Sequence, residues 1–335
     1  MSALFNDYEN ARLISRILTL YYVENKNQAE IGRELGLSTA KVNRLLKQAR
    51  SQGMVEITIH TPFEHLFDLE HKIQTVTGVQ QAIVIPQLAD NPSSILQLVG
   101  KAAADYLLEH LHDGDTLCVG GGRALATLIQ SVSPGQPFDV QVVPALGGTQ
   151  GRHFTDVNNL TAELAKQLGG QAYQLHAPAF VDTPEEREAL CNLRHVKEVL
   201  DMARQAQIAL LGVGTIYPGT SSYFQFTSLA SENLQDLIEK RDSVGEILAH
   251  VLNKRGQASA PEYEQRVIGI ELEDLRSIPL TIGVATGVEK AWPIAAGLKG
   301  GYLKTIITDE VTALRVLEIY QGEMLAAEPA DTAGR

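Results

Sequence analysis

Cysteine and long apolar runs are both scarce in this chain, and each scarcity excludes a class of protein. There are two cysteines, Cys118 and Cys191, far apart and without CxxC or neighbouring histidine spacing, so neither a disulfide framework nor a zinc site is expected. Both read as buried small apolar residues. No run of about 18 apolar residues offers a membrane span. The opening MSALFNDYENAR lacks the basic-then-apolar order of a secretory signal, so a cytoplasmic protein without membrane attachment is expected. Low-complexity tracts are missing, and 28 glycines, 13 prolines and 44% apolar content in 335 residues fit a folded chain, neither disordered nor fibrous. At roughly 150 residues per domain, that length predicts two domains. His153, His176 and His195 make no triad or metal spacing with cysteine or serine, so no metal, cofactor or catalytic group is assigned to them.

Positive charge is scarce overall, but not everywhere. The net charge is −12, yet residues 1–60 carry eight Lys/Arg against six Asp/Glu, a surplus of two that leaves −14 for the remainder. The asymmetry points the small N-terminal piece at a polyanion, because the local face and not the global balance governs such contacts.

Within that piece, Leu13, Ile14, Ile17, Leu18, Leu20 and Tyr21 recur at a helical period, predicting a first helix over 8–25. Asn27 with Glu30 forms a capping box for a short second helix ending at Gly36. Ser38 caps a third, from Thr39 to about Gln52. Two short helices joined by Leu35-Gly36-Leu37-Ser38 are the sequence form of a helix-turn-helix. Ile31, Leu35, Leu37, Val42 and Leu45 stand where the helices pack, and Gly32 where they approach closely. The third helix then exposes Thr39, Ala40, Lys41, Asn43, Arg44 and Lys47, suited to base edges and phosphates in a major groove. Residues 38–53 hold four cations and no acid. Alternation over 54–60 predicts a strand that would make the unit a winged helix, closed by Thr61-Pro62.

Residues 64–77 form a linker helix, with Phe63, Leu66, Phe67, Leu69 and Ile73 apolar, that serves either as an oligomer seam or as a core helix. Short β-branched runs follow at 82–85, 116–119, 140–144, 172–175, 208–213, 267–270, 280–284 and 305–308. Helical patterns at 95–111, 123–132, 157–168, 186–204, 287–298 and 309–320 separate them. This alternation predicts a doubly wound, mostly parallel α/β domain, in which ligands lie beyond the carboxyl ends of the strands. Four loops there are glycine-rich: Gly120-Gly121-Gly122-Arg123, Gly147-Gly148-Thr149, Gly212-Val213-Gly214-Thr215 and Gly283 to Gly287. Together they outline a small-anion pocket. None matches GxGxxG or GxxxxGK[ST], which argues against a dinucleotide or nucleoside triphosphate. Lys290 can meet a phosphate as a point charge or be a solvated helix-start lysine. Glu246 can bind sugar hydroxyls or be an exposed loop acid. Asp309 reads as the N-cap of the last helix.

The chain resembles the SorC-type (SorC/DeoR-like) sugar-binding transcriptional regulators over nearly its whole length. The likeness is carried by Asn27 to Ser38 (NQAEIGRELGLS), Val42 to Leu46, Ala177 to Val181 (APAFV), Leu211 to Thr215 (LGVGT), Gly287 to Gly300 and Leu303 to Glu310. It implies a winged helix-turn-helix over 1–61, with Gln28 joining the DNA-facing set, an effector and oligomerisation domain over 62–322, and a flexible tail over 323–335. The effector domain would be similar to sugar-phosphate isomerases and deaminases but used for sensing, in a homotetramer on paired operator half-sites of double-stranded DNA. By position, Gly121, Gly122, Arg123 and Ala124 would lie at the effector phosphate loop, Gly148 and Thr149 at a second loop, with Gly214 and Lys290 at the pocket. Glu246 stands where the family usually has Asp in a VGD-like turn. The first loop departs from the family's Ser/Trp-Gly-x-Thr pattern and lacks both hydroxyls; Arg123 would supply a guanidinium fork in their place. Two rivals remain open at this point: an isomerase or deaminase with an appended helix-turn-helix and Glu246 as base, and an adaptor using the N-terminal unit for protein contacts.

Overall fold

The computed structural model describes residues 2–56, 62–88, 91–149, 155–217, 237–239 and 241–327. The chain divides into two compact units, 1–62 and 63–335. In the first, helix α1 (Ser2–Leu18) continues into a π-helical turn (Thr19–Val23) and is followed by α2 (Gln28–Leu35) and α3 (Thr39–Ser51). Ile14, Ile17 and Leu20 pack with Ile31, Val42, Leu45, Leu46 and Ala49 in one apolar cluster, with Leu35 and Leu37 partly buried against it. The expected capping box is present: Asn27 accepts from the Ala29 and Glu30 amides, and Glu30 accepts from the Asn27 amide at 2.9 Å. Gly36 ends α2 at φ +66, the left-handed conformation glycine adopts without strain. A Cβ on Gly32 would lie 2.6 Å from the Leu37 carbonyl oxygen, so the turn closes only over a glycine. Residues 54–56 form no strand, and the rest of the expected wing lies outside the described residues.

The second unit opens with α4 (Glu64–Thr77) and builds a seven-stranded, wholly parallel sheet in the order β1-β9-β8-β5-β2-β3-β4. Its strands are β1 (Gln81–Ile85), β2 (Thr116–Val119), β3 (Gln141–Pro144), β4 (Gln171–Ala172), β5 (Ile208–Gly212), β8 (Leu280–Val284) and β9 (Thr305–Asp309). Central strands are apolar on both faces because helices cover both. Helices α5 (Pro92–His110), α6 (Arg123–Ser131) and α7 (Val157–Leu168) pack on one face. On the other lie α4, α8 (Pro184–Cys191), α9 (Arg194–Arg204), α12 (Ala291–Lys299) and α13 (Glu310–Ala327), with the short α10 (Pro261–Glu264) and α11 (Leu272–Ser277). Strand order reverses between β2 and β5, the switch point at which open α/β sheets leave a crevice. On α4 the stripe Leu66, Leu69 and Ile73 is core, while Phe63 and Phe67 are exposed.

Several expectations need correction. The run at 172–175 yields only Gln171–Ala172, because the Asn158 side chain takes the Leu175 amide at 2.9 Å and ends the ladder. Residues 267–270 make isolated bridges, not a strand: the Ile268 and Ile270 amides go to the Ala179 and Ala145 carbonyls. The helix expected over 186–204 is two, broken at Asn192 and Leu193, where Leu193 turns extended. The one expected over 287–298 begins as a 3-10 turn, Val288–Lys290. Glu246 stands not on a loop but on an antiparallel hairpin, β6 (Ser243–Ile247) and β7 (His250–Asn253), whose tight turn places Leu248 and Ala249 at φ +50 and +68, without the Asn or Gly that usually announces one. Cys191, at the end of α8, is only half-buried. The last helix runs through Ala327, into the segment expected to be a flexible tail.

Candidate functional site

Two surfaces carry the candidate residues. On α3 the inward positions are Val42, Leu45, Leu46 and Ala49, so the helical period turns Thr39, Ala40, Lys41, Asn43, Arg44 and Lys47 outward, and all six are exposed. Ser38 accepts from the Lys41 amide at 3.2 Å and keeps its hydroxyl proton for donation. Gln28, at the start of α2, is half-buried. Two of the six acids of this unit are paired within it: Lys26 reaches Glu34 at 2.7 Å and Glu24 at 2.9 Å, and Arg16 reaches Glu34 at 3.3 Å. Lys41, Arg44 and Lys47 have no ion-pair partner among the described residues, leaving a row of free cations on one helix face.

The second surface is a cavity of about 430 Å³ at the carboxyl ends of β2, β3, β5, β8 and β9. Its wall includes all four glycine-rich loops, and therefore Gly121, Gly122, Arg123, Ala124, Thr149, Gly214, Glu246 and Lys290. Gly122, at φ +114, caps α6 without a side chain, and its own amide donates to the Thr155 carbonyl at 3.2 Å. The next three amides, those of Arg123, Ala124 and Leu125, have no acceptor among the described residues. An uncapped helix N-terminus of this kind presents donors and a positive dipole end to an anion. Arg123 is exposed at the lip, and its guanidinium has no ion-pair partner among the described residues.

Lys290, on the 3-10 turn, is half-buried. Burial pushes its amine down; Glu246 and Glu289 oppose that shift, and Arg123 adds to it. Glu246, on β6, is 7% exposed, which rules out the exposed-loop reading. Burial pushes its carboxyl up, against the Ala249 amide that donates to Oε2 at 2.9 Å and the charge of Lys290. Gly214 pairs backbone to backbone with Glu246, and a side chain there would overlap Oε1. Its part is thus to make room for that carboxylate. The second loop behaves differently from the anion-cradle expectation. The Gly148 amide donates to the Ala177 carbonyl and the Thr149 amide to Asp156, so the Thr149 side chain is what this loop offers. Gly148 is not among the cavity-lining residues. Asp309 accepts from the Thr312 amide at 3.0 Å, as an N-cap should, and also from the Gly287 amide at 3.0 Å.

The cavity also takes in Gln87, Ser93, Thr155 and Thr286. Gln87 lies on the loop after β1 and Ser93 in the first turn of α5, a stretch beyond a strand end that lacks glycine. Thr286 lies within the Gly283 to Gly287 loop already singled out, whereas Thr155 carries no distinguishing pattern.

Comparison with known proteins finds relatives of both units. The sugar-binding domain family model (Sugar-bind) matches residues 61–318, and that of sigma-70 region 4 matches 15–52. The chain is 30% identical over 308 residues to the transcriptional regulator LsrR of Enterobacter sp. (strain 638), covering 92% of this chain and 93% of that protein. It is equally 30% identical to the deoxyribonucleoside regulator of Bacillus subtilis (strain 168), covering 92% and 97%. The full-length sorbitol operon regulator SorC from Klebsiella pneumoniae superposes with a TM-score of 0.72 at 29% identity, covering 92% of this chain and 99% of that one. These relatives are regulators, not enzymes, and among the described residues no helix is long and apolar enough to cross a membrane. With a helix-turn-helix before a parallel α/β domain that its family model spans, the chain belongs to the SorC/DeoR-like family of sugar-binding transcriptional regulators.

Proposed function

We propose that this regulator holds a phosphorylated sugar in the cavity and reads double-stranded operator DNA with the outward face of α3, as a cytoplasmic homotetramer on paired half-sites of a carbohydrate operon. The observation that carries the effector reading is the meeting of an uncapped α6 N-terminus with Arg123 and Lys290 around one cavity. The phosphate lies on the free amides of Arg123 and Ala124 with the guanidinium fork beside it, which replaces the hydroxyls this loop lacks. Glu246 and the Thr149 hydroxyl take sugar hydroxyls, and Gly121, Gly122 and Gly214 give the backbone room to approach. On the DNA side, Lys41, Arg44 and Lys47 meet phosphates or guanine edges, Asn43 an adenine edge, and Thr39, Ala40 and Ser38 the groove wall, with Gln28 at the backbone.

Trp292, the single tryptophan, stands two residues beyond Lys290 and serves as the reporter. Titration with free and phosphorylated sugars, read by its fluorescence, is expected to show tighter binding of a phosphorylated member, weakened at least about tenfold in Arg123→Ala as a charge-assisted contact is lost. Equal affinity of that variant for the phosphorylated sugar would overturn the assignment of Arg123.

A further inference from the structure

The cavity and the helix that follows the DNA-reading unit are held by the same two residues. Strand β9 ends in Asp309 and α13 begins with Glu310. Asp309 is buried, lines the cavity, and accepts from the Gly287 amide at 3.0 Å and from the Thr312 hydroxyl at 2.6 Å. It therefore fixes the start of the turn that carries Val288, Glu289 and Lys290 in the cavity wall. Glu310 faces the other way. Its Oε2 accepts from the Gln87 amide at 3.2 Å, and Gln87 is itself a wall residue. Its Oε1 lies 3.3 Å from Nε2 of His65, the second residue of α4. That helix starts two residues beyond the end of the N-terminal unit. A second tie leads the same way: Glu70, farther along α4, accepts from the Val84 amide of β1 at 2.8 Å, and β1 runs directly into the loop bearing Gln87.

We propose that Glu310 is a positioning residue that couples the cavity wall to the N-terminus of α4 through His65, with Asp309 anchoring the wall end of the route. Ligand that draws in the 286–290 turn or Gln87 changes the seat of Glu310, and so the hold on the first turn of α4, to which the DNA-reading unit is chained. Coupling of this kind is reciprocal, so disturbing the α4 end must be felt in the wall. The proposal takes its direction, ligand to DNA, from the reading of the cavity as the effector site; the route itself does not depend on which ligand binds.

The test uses the full chain without ligand. Hydrogen exchange is followed in peptides spanning 84–88 and 284–292 in His65→Ala, His65→Lys and Glu310→Gln. The His65–Glu310 pair is exposed on the His65 side, so its loss costs little global stability. The expected result is exchange faster by about threefold in both wall peptides of His65→Ala and of Glu310→Gln, matching the energy of such a contact, with restoration in His65→Lys, which places a donor opposite Glu310. Unchanged wall peptides in His65→Ala would overturn the proposal. So would a uniform rise across every peptide of the domain, which marks general loosening without a route. A sugar panel that fails to bind would count against the effector reading alone.

Discussion

At the residue scale, the cavity owes its chemistry to one carboxylate and the glycine that admits it. Gly214→Ala would push a methyl into Glu246 Oε1 and turn the carboxylate out of its place against the Ala249 amide. Overpacking of this kind costs about 1–3 kcal/mol. The variant is expected to lose effector affinity, read by Trp292 fluorescence, while its ligand-free DNA affinity stays at the wild-type level; unaltered effector affinity would deny Glu246 its part. A different acid sets a pH dependence. Burial first, then Glu271, Glu273 and Glu262, push Glu264 up to about 7 from an ordinary 4.5. Between those values the folded chain holds a proton that the unfolded chain has released, so stability falls as pH rises through the window and stays reduced above it. Glu264→Gln should raise the melting temperature at about pH 8 relative to wild type and flatten its fall from about pH 5.5. Parallel pH profiles for the two proteins would show that Glu264 is not the group responsible.

At the element scale, the helix-turn-helix was legible almost residue by residue because its signals are local. A capping box and a left-handed glycine fix the two ends of α2 and a serine cap the start of α3; the Asn27, Glu30 and Ser38 side chains each accept from an amide within three positions, and the Gly36 amide donates to the Gly32 carbonyl. Gly32→Ala is accordingly expected to destabilise the N-terminal unit by about 1–3 kcal/mol and to abolish DNA binding, with effector binding by the second unit retained. Wild-type DNA affinity in that variant would contradict the packing described for the turn. The parallel strands β1, β2, β3, β5, β8 and β9 were legible as β-branched runs between helical patterns. What escaped depends on partners remote in sequence. The β6–β7 hairpin turns without its usual residues, and the segment at 267–270 is extended and buried yet finds its acceptors on separate stretches of chain. Glu246 shows the same limit: the sequence left it between ligand contact and exposed acid, and only the hairpin, pairing with Gly214, buries it at the cavity.

At the scale of the whole molecule, a chain of net charge −12 gathers on one short helix the cations that the proposed DNA contact needs. The acids are concentrated in the second unit, and of those in the first Glu24 and Glu34 are paired with Lys26 and Arg16 and none lies on α3, so the exposed cations of α3 meet little local opposition. Arg44→Ala is expected to cost about 1–3 kcal/mol in operator affinity where it removes a base contact, and Lys47→Ala to flatten the salt slope by about one unit where it removes a phosphate contact. Operator affinity and salt slope unchanged in both variants would remove α3 from the interface. On the proposed reading effector and DNA are bound by different units of one chain, so an effector that weakens operator binding must itself bind the DNA-bound form more weakly by the same factor.

The central claim, that sugar binding in the second unit governs DNA binding by the first, is tested most directly by fluorescence anisotropy. A labelled fragment from upstream of the protein's own gene is titrated at two salt concentrations, with and without a panel of free and phosphorylated sugars. The account expects tight binding that weakens steeply with salt and that one phosphorylated sugar shifts. Binding no stronger than to a scrambled fragment, unmoved by every sugar, would contradict it.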